Sequence, residues 1–169
     1  MPDLTLLLGA IERNARVNDS LLETLVPDDL TFTDGRGGWS LARHLSHMAA
    51  FRGGWLLNIA PDYARGLPER TGGRHLWEWV AADTAALRDM FRAGDDAAVR
   101  AVQAHRASGE PFADPWKEGA YQSDPAQFLV HIIVHDSHHR GQVMSLLRQG
   151  GRSPEAMERL DDHWAIWRA

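Results

Sequence analysis

The chain has 169 residues, with 18 Lys and Arg against 23 Asp and Glu, a formal net charge of −5, and no cysteine. That length suits one domain over residues 1–169 with one hydrophobic core. The missing cysteine removes disulfides, thiolate ligands and a cysteine nucleophile, and fits a cytoplasmic setting.

No basic tract points to nucleic acid, and no run of 18 apolar residues points to a membrane span. The N-terminus lacks a basic leader ahead of an apolar stretch, so no secretory signal is read. The two unusual counts are nine His and seven Trp.

Leu4, Leu8, Ile11, Ala15, Asn18, Leu22 and Leu25 recur at helical spacing and predict an amphipathic helix over about residues 3–26, stopped by Pro27. Asn18 interrupts the apolar stripe and is expected to be hydrogen-bonded. Residues 27–38 read as a loop. A second helix follows, with Ser40 as N-cap and Trp39 stapling its first turn. Leu41, Leu45, Met48, Trp55 and Ile59 mark its core stripe, and His44 and His47 flank that stripe. Gly53-Gly54 weakens the helix there or lets another backbone approach.

Residues 61–73 read as a loop. Leu76, Val80, Asp83, Leu87, Met90 and Phe91 predict a third helix over about 74–93, ended by Gly94, with a short helix starting at Asp95 or Asp96. Residues 108–123 form a long irregular loop carrying Trp116 and Tyr121. Connections of this length often cover functional sites.

The stretch from Asp124 to Gly150 is the most informative. Asp124, Pro125 and Gln127 predict a capped helix start, and Gly150-Gly151 its end. On one face lie Phe128, His131, His135, His138, His139, Gln142 and Leu146; the flanks are apolar, so the helix should be largely buried. Ser153-Pro154 starts a last short helix, and the C-terminal aromatics are expected to pack on the bundle. Four main helices and no strand give an all-α four-helix bundle with short extra helices.

His135 and His139, at i and i+4, project from adjacent turns of one face, a spacing used to hold a divalent ion. A third ligand must come from another helix, and the second helix offers His44 or His47. Three imidazoles leave a position open for water or substrate, the catalytic arrangement. No glutamate follows His135 as in HExxH metalloproteases; Asp136 and Ser137 do. His131 reads as a ligand, an outer partner or a satisfied core residue, the last two being favoured. Gln142 could orient a ligand. Arg140 is expected to face outward in a salt bridge, and Asp136, though angled off the histidine face, could back a ligand. Trp116, Tyr121, Trp164 and Trp167 are read mainly as packing. No general base is assigned.

Trp39-Ser40-Leu41 followed by His47, and the run His135-Asp136-Ser137-His138-His139-Arg140-Gly141-Gln142, resemble the two motifs of the DinB/YfiT-like superfamily of metal-dependent enzymes, and the match extends over most of the chain. The resemblance implies a bundle of up-down-down-up connectivity with zinc or nickel on three histidines, here His47, His135 and His139. It is the resemblance that selects His47; His44, His131 and Gln142 are left as candidate outer partners. Relatives with known activity include thiol S-transferases using bacillithiol, mycothiol or glutathione, a mycothiol-dependent isomerase, and metal hydrolases. Some are DNA-damage-inducible, and dimers are common. The resemblance therefore implies a metal-dependent thiol S-transferase, or secondly a hydrolase, acting on a small molecule. With no cysteine in the chain, a thiol nucleophile must arrive as a cosubstrate. The alternative is a non-enzymatic stress or resistance protein whose metal is structural or which sequesters a small molecule.

Overall fold

The computed structural model describes residues 4–67 and 79–168. In chain order these form α1 (Thr5–Thr24), a 3-10 turn (Pro27–Thr31), α2 (Leu41–Ile59), the short α3 (Pro61–Ala64), α4 (Thr84–Ser108), α5 (Gln127–Gln149), α6 (Pro154–Asp161) and a closing 3-10 segment (Asp162–Arg168). No strand occurs among the described residues. The fold is all-α, with α1, α2, α4 and α5 as the bundle.

Two buried clusters fill it. One joins Leu21 and Leu22 of α1, Leu41, Leu45 and Met48 of α2, Leu87 and Met90 of α4, and Val143 and Leu147 of α5. The other joins Ile11, Leu56 and Ile59, Ala97 to Val102, and Phe128 to Ile132. The end of α1 thus meets the starts of α2 and α4 and the end of α5. It follows that α1 and α5 point one way and α2 and α4 the other. Each fully buried Leu or Phe contributes about 1.5–3 kcal/mol relative to exposure.

Local signals account for the helix ends. Ser40 Oγ accepts the Arg43 N–H, and Ser153 Oγ accepts the Ala156 N–H, both at 3.2 Å, so each caps as expected. The helix α5 begins at Gln127, two residues later than the Asp124-Pro125 signal suggests. Residues 124–126 make a turn instead, in which Asp124 Oδ1 accepts the Ala126 N–H at 3.0 Å. The Gln127 side chain donates to Ser123 Oγ rather than closing a capping box.

The third main helix departs most from expectation. Part of its predicted start, including Leu76, lies outside the described residues. Asp83 is not a face residue but the N-cap of α4, accepting the Ala86 N–H at 2.8 Å. Nor does α4 stop at Gly94; it runs unbroken to Ser108 and ends on Gly109 in the left-handed conformation. Gly94 is buried against Arg52: a Cβ there would stand 2.9 Å from the Arg52 Cβ. The glycine marks a close approach of α4 to α2, not a break.

Candidate metal centre

The capped start of α2 points His44 and His47 across the bundle, and the 3.6-residue turn of α5 stacks His135 and His139 opposite them. His47, His135 and His139 each offer a ring nitrogen, and the three nitrogens lie within 4.8 Å of one another. Their ring centroids are 4.6–4.9 Å apart. His47 Nε2 and His135 Nε2 are 3.1 Å apart. Two nitrogens at about 2.0–2.1 Å from one ion at the tetrahedral angle stand roughly 3.3 Å apart, so this pair is spaced as two ligands of one ion are.

The donor set fits in charge as well. Burial, reinforced by the neighbouring His135, lowers the His47 imidazole to about 4 and the His139 imidazole to about 3. Both rings are neutral at neutral pH and carry a lone pair, the form a metal requires.

His44 stands beside this group. Its Nδ1 is 3.1 Å from His139 Nδ1. Burial lowers the His44 imidazole too. Trp39, about one-third exposed, walls the cluster: its ring lies 5.4 Å from His44, 5.1 Å from His47, and parallel to His139 at 6.2 Å. Beyond Trp39 and His44 an open pocket of about 670 Å³ is lined by Asp34, Arg36, Gln142, Ser145 and Gln149 among others. Gln142 is exposed and belongs to this pocket wall beside His44.

On the other side Phe51 stacks on His135 with centroids 3.8 Å apart. His131 sits one turn below, hydrogen-bonded through Nδ1 to the Tyr121 hydroxyl and packed edge-on against Phe51 and Trp55. It is a satisfied member of an aromatic wall, with its ring 6.4 Å from that of His135. The long loop supplies that wall: Tyr121 and Trp116 both pack edge-on against Trp55. Burial lowers the His131 imidazole and raises the Tyr121 phenol.

Under the histidines lies a buried polar network that the sequence pattern largely conceals. Arg52, fully buried, donates from Nη1 and Nη2 to the two oxygens of Asp136 at 2.7 and 2.6 Å, from Nε to Asp95 at 2.8 Å, and to the Met48 carbonyl. Asn14 and Asn18 of α1 each donate to Asp136 Oδ2, at 2.7 and 2.8 Å. Their carbonyls accept from Arg140 Nη1, at 2.8 and 2.7 Å. Arg140 is therefore not an outward surface arginine; it is 3% exposed, with Trp164 of the closing segment packed over its guanidinium. Asn18 is hydrogen-bonded, as its place in the stripe required. Two cations and two carboxylates balance within the network, which is how buried charge is tolerated.

A model of the DinB family matches residues 1–169, the whole chain. No curated protein and no solved structure matches it at a significant level.

Proposed function

The chain belongs to the DinB family, and from that premise we propose that His47, His135 and His139 hold a divalent metal ion, zinc or nickel, in an enzyme that acts on a small molecule. The observation that carries the reading is the convergence of three ring nitrogens within 4.8 Å, drawn from two helices that face each other across the bundle. An ion held there supplies Lewis acidity toward a weakly acidic nucleophile, water or a thiol.

The chain's own groups set the rest. Neutral imidazoles leave the ion's charge uncompensated, so its acidifying effect is kept at full strength. His44 Nδ1 orients the His139 ring, as outer partners of ligating histidines do. Phe51 and the Trp55–Tyr121 wall exclude water from one side, and Trp39 borders the open side. The pocket beyond Trp39 offers Arg36, Gln142 and Ser145 for a polar substrate. No cysteine is present, so a sulfur nucleophile comes from a low-molecular-weight thiol cosubstrate. The reaction we favour is transfer of that thiol to an electrophile, with metal-dependent hydrolysis second.

Protein purified without an affinity tag should contain about one divalent ion per chain, and His47→Gln, His135→Gln or His139→Gln should each remove it. Thiol conjugation of a panel of electrophiles should vanish with a chelator and return with metal. Conjugation that survives complete metal removal would refute the transferase reading.

A further inference from the structure

The carboxylate of Asp136 lies at the centre of the buried network and directly behind a metal-site imidazole. Its Oδ1 is 3.8 Å from His135 Nδ1, whereas His135 Nε2 faces His47. The Nδ1 atom is buried and has no hydrogen-bond partner among the described residues. We propose that Asp136 is a positioning residue for the three-histidine site, holding the Nδ1 proton of His135 and thereby leaving Nε2 bare toward His47. This rests on reading the three imidazoles as one site.

Counting acceptors supports the assignment. Asp136 Oδ2 takes three donors, from Arg52, Asn14 and Asn18. Oδ1 takes one, from Arg52 Nη1, and so keeps a lone pair for His135. A carboxylate facing a ring nitrogen repels its lone pair and attracts its N–H, so the charge selects the tautomer. The two-point pair with Arg52 keeps Asp136 a carboxylate, an acceptor on both oxygens.

The surrounding residues fix its position. The carbonyls of Asn14 and Asn18 are held by Arg140, which turns both amide N–H groups toward Asp136. Arg52 stands five residues after His47 on α2, and Asp136 follows His135 on α5. Their two-point ion pair therefore locks the same two helices whose rings meet at 3.1 Å. Stability alone does not require such a pair, since well-packed apolar side chains often serve as well.

The test begins with the metal-free wild-type protein and ¹⁵N-resolved imidazole NMR. His135 should be the Nδ1–H tautomer, and the proton between the two Nε2 atoms should belong to His47. Finding His135 protonated at Nε2 overturns the proposal. Asp136→Asn should then mix the His135 tautomers and weaken Zn²⁺ binding by about 10–100-fold. A folded Asp136→Asn protein that keeps both tautomer and affinity within about twofold also overturns it. Should that variant fail to fold with Arg52 left unpaired, the wild-type tautomer decides alone. Wild-type protein that binds no metal yet shows the Nδ1–H tautomer would sink the metal reading while leaving the Asp136 contact intact.

Discussion

Protonating His47 or His139 inside the fold is harder than in an unfolded chain, because burial and the adjacent His135 disfavour the charged ring. The sign follows from proton counting. Between the unfolded value of about 6.5 and the folded values of about 4 and about 3, the unfolded state binds more protons, so stability rises with pH across that window. Metal-free protein should therefore lose stability progressively as pH falls below about 6.5, a trend that urea titrations at several pH values would show and that His47→Gln would flatten. A stability profile level from pH 7 to 4 would contradict the burial of these rings. At this scale the i, i+4 pair on α5 was readable from spacing alone. The choice between His44 and His47 was not, because both project from neighbouring turns of one flank; the motif resemblance selected His47, and the packing sets His47 Nε2 against His135 and His44 Nδ1 against His139. Arg140 escaped for a related reason, and for Asp136 the spacing offered a backing role without its buried partners. Charged residues off the histidine face suggest solvent, yet that side of α5 meets Asn14 and Asn18 of α1.

Helices α2 and α4 approach closely at one point, and a glycine makes it possible. Gly94→Ala would gain about 1 kcal/mol in helix propensity, but the new Cβ would meet Arg52 Cβ at 2.9 Å and Cγ at 3.3 Å. Arg52 cannot yield, since its guanidinium is tied to Asp95, Asp136 and the Met48 carbonyl. The overpacking term of about 1–3 kcal/mol should win, leaving a net loss of up to about 2 kcal/mol. Gly141 is the control: it lies inside α5, and a methyl group added there would have nothing within 4 Å, so Gly141→Ala should stabilise by about 0.5–1 kcal/mol. Denaturant midpoints of the two variants should move in opposite directions, and a stabilised Gly94→Ala would show that the contact is loose. Helical spacing identified α1, α2 and α5 with their faces, and serine caps marked two starts. Gly94 misled because a glycine that ends a helix and one that admits a neighbour look alike in one dimension. The contact that tells them apart is with Arg52, on a different helix and far away along the chain.

Across the whole molecule, the proposed ligand set would join α2 to α5, which the core clusters already hold in opposite directions. An ion bound there engages the folded arrangement and has little to bind once the helices separate. Linkage then stabilises the fold by about 2.7 kcal/mol at a free metal concentration of 100 times Kd. For a domain of this size each kcal/mol moves the midpoint by about 2–4 °C, so Tm should rise by roughly 5–11 °C. The rise should grow with the logarithm of metal concentration, reverse with chelator, and be absent in His135→Gln. Adventitious binding by exposed His138 would survive that substitution, and so would binding to histidines elsewhere on the surface. A shift of equal size in wild type and His135→Gln would place the ion somewhere other than between these two helices, and the catalytic reading would go with it.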